Sequence, residues 1–273
     1  MKLVRFTPKQ APASTAPSWG LLEGSEVFAL QGDPLGAHTR GARVCALADL
    51  RLVAPCTPTK VIAAAINFHG ATDWEPGMVE PVFFLKAPSS LTGPTDDIVS
   101  NFTDVPTWGE AELAIVIGKQ ARRLASIDDA EAHIFGYTVA NDASCENLGT
   151  RDHHLARSKA ADAFCPTGPY VDTEYEWKNR RISAFHNGVL VRDGTTDKMF
   201  WDPHRIVYEL SQWMTLEPWD LVLTGSPPLS CPLTYLNDGD RFLSRVEGFP
   251  EIESSFVQRR PLDPAKVSRW ITL

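Results

Sequence analysis

Hydrophobic residues occur along the chain in short runs that are separated by polar residues, glycines and prolines. Short runs between turn residues are typical of β-strands, whereas an amphipathic helix needs a longer stretch with a period of about 3.6 residues. The runs that we predict as strands are Lys2–Phe6, Trp19–Leu22, Val27–Leu30, Lys60–Ile66, Pro81–Lys86, Glu112–Gly118, Gly136–Ala140 and Leu221–Thr224.

Two segments have features of helices instead. In Ser126–His133, the Ser126 side chain can cap the N-terminus, and the aspartates at 128 and 129 favour the first turn. In Ile206–Met214, Ile206 and Leu210 recur at helical spacing. Many strands and few helices together predict an α+β fold that is mainly β.

The chain divides near two closely spaced prolines, Pro55 and Pro58, which stiffen the link between segments. We therefore predict a small strand-rich N-terminal domain at residues 1–55 and a larger, catalytic domain at residues 56–273. Within the first domain, Gln31–Gly41 contains three glycines and a proline, so we predict a loop there.

Charge and composition exclude several classes of protein. Among 273 residues, 34 acidic side chains outnumber 26 basic ones, which argues against a nucleic-acid-binding protein. No apolar run approaches the ~20 residues that span a bilayer, and the N-terminus lacks the apolar stretch of a signal peptide. Five scattered cysteines without a C-x-x-C pair argue against a disulfide framework or a zinc site. We expect a cytoplasmic protein that binds neither nucleic acid nor membranes.

The first candidate metal ligands are the two carboxylates of Glu110-Ala111-Glu112, at the start of an apolar strand. Side chains at positions i and i+2 of a strand share a face, so the two carboxylates are expected to point the same way. Their repulsion at the end of a buried strand is relieved by a hard, oxygen-preferring cation such as Mg²⁺ or Ca²⁺. The alternative is a solvated strand edge. Asp142, which ends a second apolar strand, favours the metal site as a third carboxylate.

Lys159 follows these acidic residues in Arg157-Ser158-Lys159-Ala160. A lysine near an anion held by a metal can bind a substrate carboxylate or assist proton transfer. On its own, the same residue would be interpreted as a surface charge.

Several motifs in a fixed order make this chain resemble the fumarylacetoacetate hydrolase family, over about residues 58–247 and more weakly over 1–30. The matching pieces are Ile66–Phe68, Phe84–Leu91, Glu110–Gly118, Gly136–Asp142, Ser158–Lys159 through Gly168–Pro169, Asn187–Gly188, Met214–Pro218 and Leu223–Pro227. The resemblance implies a mixed β-sandwich roll with a small N-terminal domain, in a homodimer. It also implies Mg²⁺, or Mn²⁺ or Ca²⁺, held by Glu110, Glu112 and Asp142, with Lys159 as a catalytic residue and Ser226 as a contact of the substrate carboxylate.

The same resemblance implies an enzyme for small oxo-acid or diketone substrates. Relatives use a metal-stabilised enolate to cleave carbon–carbon bonds of β-dicarbonyl acids, to decarboxylate 2-oxo acids, or to hydrate and isomerise related enols. The function that we predict first is a metal-dependent hydrolase or lyase that cleaves a carbon–carbon bond. The alternative is a decarboxylase, tautomerase or cyclising enzyme of a biosynthetic pathway. A non-catalytic protein on this scaffold is a third possibility, which the intact set of three carboxylates and a lysine opposes.

The segment after the first strand of the larger domain departs from the family pattern. Hydrolytic relatives have a histidine and a glutamate there, on a lid, to activate water, but this chain has Ala71 and Trp74 at the corresponding places. His69 can take the place of the missing histidine if the lid is shifted in register, with Glu75 or Asp73 to orient it. The alternative is a lid histidine that faces solvent. The lost pair predicts poor hydrolysis of fumarylacetoacetate-type substrates.

A second departure concerns substrate binding. Glu146 and Gly149 replace an arginine and a glutamine of many relatives, and Arg192 replaces a frequent glutamine. Arg151 can supply a cation from a shifted position, so Arg151, Phe68 and Ser226 are our candidate substrate-binding residues. A carboxylate at position 146 disfavours a dianionic acylpyruvate, and we therefore expect a substrate other than fumarylacetoacetate.

Overall fold

The strand pattern of the sequence dominates the structure, a computed structural model that describes residues 1–12, 14–71, 80–147, 152 and 154–263. The N-terminal part contributes five strands: β1 (Lys2–Pro8), β2 (Ser18–Glu23), β3 (Glu26–Gly32), β4 (His38–Ala46) and β5 (Leu50–Leu52). Strands β1 to β4 form an antiparallel meander, and β5 also pairs with β1. The three strands predicted at the N-terminus are therefore present as β1, β2 and β3.

The central strands continue the same sheet. They are β6 (Val61–Ala65), β7 (Val82–Lys86), β8 (Leu91–Thr92), β11 (Ala111–Ile117), β12 (Ile134–Asn141), β14 (Cys165–Asp172) and β17 (Leu221–Leu223). The strand order is β4-β3-β2-β1-β14-β12-β11-β17-β6-β7, with β8 paired to β14. Because β1 pairs with β14, the N-terminal meander joins the central strands in one sheet. The domain division at residue 55 stays a prediction.

A second, five-stranded sheet packs against the first. It has the order β16-β15-β18-β19-β9, formed by β9 (Ile98–Ser100), β15 (Arg181–His186), β16 (Val189–Thr195), β18 (Arg241–Val246) and β19 (Ile252–Gln258). A short ribbon of β10 (Thr107–Trp108) and β13 (Ser144–Cys145) lies beside them. The mainly-β α+β class and the family's β-rich fold are confirmed.

The core explains why residues 113–117 of β11 are continuously apolar, since all seven residues of the strand are buried. Leu113, Ile115 and Ile117 belong to the larger hydrophobic cluster, together with residues of the second sheet such as Ile182. The alternate residues Ala114 and Val116 belong to a smaller cluster. A strand buried on both faces needs apolar residues along most of its length, and Glu112 is the charged exception in β11.

The helices are short. Helix α1 (Ala156–Lys159) is a single turn, and α2 (Pro203–Trp213) covers most of the segment predicted from the spacing of Ile206 and Leu210. In the described residues no helix has the length and apolarity that crossing a bilayer requires.

One prediction of local structure was confirmed and another was wrong. The helix predicted at 126–133 is present as a 3₁₀ helix, Asp128–His133, which ends where β12 begins at Ile134. Ser126 still accepts a hydrogen bond from the Asp129 N–H, at 3.3 Å. The expected loop at 31–41 is confined to a few residues, since Gly32 pairs with His38 and closes the β3–β4 hairpin.

Candidate metal centre

Three carboxylates converge where β11 and β12 lie side by side. Glu110 precedes β11, Glu112 lies within it and Asp142 follows β12, and each offers an oxygen within 4.8 Å of the others. The antiparallel register pairs Ala111 with Asn141, so the start of one strand meets the end of the other. Among the described residues, no other group of three or more potential ligands could hold a metal ion.

Backbone contacts hold this junction in place. The Asp142 N–H donates to the Glu110 carbonyl oxygen at 2.9 Å, and the Glu110 N–H donates to Asn141 Oδ1 at 3.0 Å. The two ligand-bearing segments are thus tied to each other by one main-chain hydrogen bond and by one that the Asn141 side chain accepts. This rigidity favours a preformed site.

Lys159 reaches the carboxylates from the end of α1. Its Nζ donates to Glu110 Oε2 at 3.0 Å and to Asp142 Oδ2 at 2.5 Å. The structure therefore brings together four of the predicted site residues, and Lys159 is not a surface charge.

Sequence reasoning assigned no role to Lys86, the last residue of β7. Its side chain is fully buried, and Nζ donates to Asp142 Oδ1 at 2.6 Å and to the Lys159 carbonyl oxygen at 2.5 Å. A buried ammonium requires such partners, because an unpaired charge in the interior is strongly unfavourable. The available signal was a lysine in an otherwise apolar strand.

Two further donors hold Glu110. Arg192 Nη2 donates to Glu110 Oε1 at 2.9 Å, and Trp108 Nε1 donates to the same oxygen at 3.1 Å. Neither residue was predicted to belong to the site, although Arg192 stood out as a departure from the family pattern. It comes from the second sheet, and no local sequence pattern indicates that contact.

Glu112 has a different environment. Its Oε2 accepts a hydrogen bond of 2.5 Å from the Gly225 N–H, in the loop after β17. Gly225 has a φ of +93°, and a Cβ there would lie 2.9 Å from the Cβ of Asn67, so only glycine fits. Burial, together with the neighbouring Asp142 and Glu110 carboxylates, raises the pKa of Glu112 well above its ordinary value.

The cations have the opposite effect on Glu110. Burial by itself raises the pKa of this carboxyl, but Lys159 and Arg192 outweigh burial and lower the pKa to about 2. In turn burial disfavours the Lys159 ammonium, but Asp142 and Glu110 prevail and raise its pKa above the ordinary value. Lys159 therefore keeps its proton at neutral pH.

A divalent cation fits these residues. Oxygen ligands from carboxylates suit hard ions such as Mg²⁺ and Mn²⁺. Burial and crowded negative charge together raise the pKa of Glu112, and a bound cation would relieve the repulsion between the carboxylates. The donor set does not separate Mg²⁺ from Mn²⁺ or Ca²⁺.

The remaining predicted residues are placed as follows. Ser226 Oγ donates to the Ala111 carbonyl oxygen at 3.1 Å, beside the carboxylates. Phe68 is fully buried in the larger hydrophobic cluster. His69 is exposed, its ring centroid is 3.8 Å from that of Phe200, and it lines a cavity of about 530 Å³. Glu75 and Arg151 lie outside the described residues. The roles given to all five stay predictions.

Two packed sheets with three carboxylates at the end of a central strand describe a β-rich protein with a candidate metal site. A family model for the fumarylacetoacetate (FAA) hydrolase C-terminal domain matches residues 60–257, and an Rv2993c-like N-terminal model matches residues 1–55. The chain belongs to the fumarylacetoacetate hydrolase family.

Named relatives carry out several reactions. The mitochondrial oxaloacetate tautomerase FAHD2B of Bos taurus is 30% identical over 282 residues, covering 90% of this chain and 88% of the relative. The structure of a 5-carboxymethyl-2-hydroxymuconate delta-isomerase from Mycobacterium smegmatis is similar, with a TM-score of 0.84, 30% identity, and coverage of 95% and 100%.

A third relative was solved with ligands. Maleylpyruvate hydrolase from Sphingobium sp. SYK-6, in complex with manganese(II) and pyruvate, has a TM-score of 0.74 and 26% identity, with coverage of 95% and 100%. A tautomerase, an isomerase and a hydrolase thus share this fold, which supports an enzymatic function for this chain.

Proposed function

We propose that this protein is a divalent-metal-dependent enzyme that interconverts the keto and enol forms of a small 2-oxo acid. The observation that carries the proposal is the position of Lys159, whose Nζ lies 3.0 Å from Glu110 and 2.5 Å from Asp142. A protonated amine beside a carboxylate metal centre suits a reaction in which negative charge develops on oxygen.

Glu110, Glu112 and Asp142 would hold the cation. When bound, the cation supplies Lewis-acid stabilisation of the enolate oxygen. The chain itself provides the fixed geometry, since the hydrogen bonds that join Glu110 to the Asn141 side chain and to the Asp142 main chain hold the ligands at their spacing.

Lys159 would act on the substrate through its ammonium group. Because neighbouring carboxylates raise its pKa, Nζ carries a proton that it can share with an oxygen that becomes negatively charged. Lys86 holds the Lys159 carbonyl oxygen at 2.5 Å and so fixes the end of α1 from which this side chain extends.

The comparisons support enol chemistry. A relative named as an oxaloacetate tautomerase covers 90% of this chain, and the structure of a maleylpyruvate hydrolase of this fold contains manganese(II) and pyruvate, a 2-oxo acid. A small-molecule substrate, a homodimer and a cytoplasmic location stay predictions.

The test is the rate at which oxaloacetate reaches keto–enol equilibrium, followed by enol absorbance with Mg²⁺ or Mn²⁺ present. We expect Lys159→Met to lower kcat by about 10²-fold, as for removal of an electrostatic donor. Lys119→Met removes an exposed lysine and is expected to keep the wild-type rate. Wild-type protein that does not accelerate equilibration, or a Lys159→Met variant as fast as wild type, would contradict the proposal.

Carbon–carbon bond hydrolysis is the second candidate, and the exposed His69 beside a cavity is the observation that favours it. Against it, Ala71, at the place of the lid histidine of hydrolytic relatives, packs on the larger hydrophobic cluster. A general base contributes about 10²–10⁴-fold, so its loss should leave hydrolysis slow.

Acylpyruvate turnover separates the two candidates. Slow hydrolysis that His69→Ala does not change, and that Ala71→His increases, supports enol chemistry alone. Fast wild-type hydrolysis that collapses in His69→Ala would make His69 the base and the protein a hydrolase.

A further inference from the structure

Arg192 brings a positive charge from the second sheet to the metal centre. It lies on β16, and its guanidinium bonds Glu110 Oε1 at 2.9 Å and the Pro227 carbonyl oxygen at 3.0 Å. Its backbone also forms a β-bridge with Leu229. The side chain is only 11% exposed, so its orientation is set by packing.

These contacts place Arg192 where Glu110 meets the loop that follows β17. In that loop, Gly225 donates its N–H to Glu112, and Ser226 donates its hydroxyl to the Ala111 carbonyl oxygen. The guanidinium therefore lies between Glu110, a predicted metal ligand, and the loop that carries Ser226, a predicted substrate contact.

The charge of Arg192 is only partly neutralised by Glu110. The single Glu110 carboxylate accepts from both Lys159 and Arg192, while Asp142 accepts from both Lys86 and Lys159. With all groups ionised, three carboxylates face three cationic side chains in this cluster. A divalent cation would add two positive charges, which a ligand with two carboxylates can balance and a monocarboxylate cannot.

We propose that Arg192 is a specificity-determining residue that binds the second carboxylate of a 2-oxo dicarboxylate. The planar guanidinium has several N–H donors, and within the described part of the chain it uses two of them on Glu110 and Pro227. A guanidinium can bind a carboxylate through paired hydrogen bonds, which makes it selective for that group. This inference rests on the proposed function.

The test compares oxaloacetate with 2-oxobutanoate, which has the same length of carbon chain and a methyl group in place of the second carboxylate. Dissociation constants are measured on Mg²⁺-loaded protein by competition against oxalate. We expect Arg192→Gln to weaken oxaloacetate binding about tenfold or more while 2-oxobutanoate binding changes by less than about twofold. Arg192→Lys keeps the charge without the paired donors and should give an intermediate loss for oxaloacetate.

Arg181→Gln is the matched control, because it removes an arginine from the neighbouring strand β15 that pairs with Asp193 on an exposed face. It should change neither dissociation constant. Equal weakening of both ligands by Arg192→Gln, or loss of bound metal in that variant, would overturn the proposal and make Arg192 a positioning residue for Glu110.

The same measurements distinguish an error in the proposed function from an error in the role of Arg192. Wild-type protein that binds neither Mg²⁺ nor oxalate would overturn both proposals. Wild-type protein that binds both, and that does not distinguish the two oxo acids, would overturn only the role of Arg192.

Discussion

At the scale of single residues, the site depends on charges that are buried close together. Glu110 and Glu112 are two positions apart, yet cations lower the pKa of Glu110 to about 2, while burial and neighbouring carboxylates raise the pKa of Glu112. The difference arises because Lys159 and Arg192 contact Glu110, whereas Glu112 accepts from the neutral Gly225 N–H. Two glutamates in the same cluster therefore have pKa values shifted in opposite directions.

Removing Glu112 is expected to abolish metal binding. Glu112→Ala takes away one of the three carboxylates, together with a buried group that is crowded by like charges, so the fold should be retained. The metal content per chain after dialysis against Mn²⁺ measures the outcome. Glu131→Ala, at an exposed position, is the control. Unchanged metal stoichiometry in Glu112→Ala would show that the ligand set is wrong.

At the scale of elements, helix α2 illustrates how local chemistry defines a boundary. Asp202 accepts a hydrogen bond from the Arg205 N–H at 2.8 Å, and Pro203 occupies the first turn. An aspartate cap followed by proline is a favourable start for a helix. The buried face of α2, which includes Ile206 and Leu210, then packs into the larger hydrophobic cluster.

Asp202→Ala is expected to lower the free energy of unfolding by about 1 kcal/mol, the usual effect of losing an N-cap. Urea unfolding followed by circular dichroism measures it. Asp128→Ala changes an exposed aspartate of the 3₁₀ helix and should have a smaller effect. A variant with the stability of wild type would mean that α2 does not depend on its cap.

At the scale of the whole molecule, ion pairs between distant segments link pH to stability. Asp240, before β18, accepts from the Asn187 amide, from the Asn237 N–H and, at 2.8 Å, from His186 Nε2. Burial alone raises the pKa of Asp240, but these hydrogen bonds prevail and lower it from 3.8 to about 2. The folded state therefore favours the ionised carboxylate.

This shift predicts how stability falls in acid. A carboxylate whose pKa is lower in the folded state stabilises the protein above its ordinary pKa of 3.8, and that contribution is lost as the pH falls toward 2. Asp240→Asn should be less stable than wild type at pH 6 or so, and the gap should narrow near pH 2 to 3. Urea midpoints across pH test this, with Asp162→Asn as an exposed control. A gap that is constant with pH would contradict it.

Local patterns predicted part of the secondary structure, including β1, β6, β11 and α2. The apolar stretch at 113–117 lies in a strand with both faces buried, and the spacing of Glu110 and Glu112 placed two carboxylates on one side of it. Where a segment is constrained by its neighbours, the same reasoning was wrong. Gly32 and His38 pair across the β3–β4 hairpin, so much of the segment 31–41, which was predicted as a loop, is strand.

The sequence by itself determined the strands that have strong apolar runs, such as β1, β6 and β11, and which side chains alternate on them, because the period of the backbone depends only on neighbouring residues. Only the tertiary structure decided which cations reach the carboxylates. Lys86 meets Asp142 across 56 residues, and Arg192 meets Glu110 across 82. Such contacts depend on the order in which the strands pair and on how the two sheets pack to bury both faces of β11. No local pattern in the sequence contains that strand order.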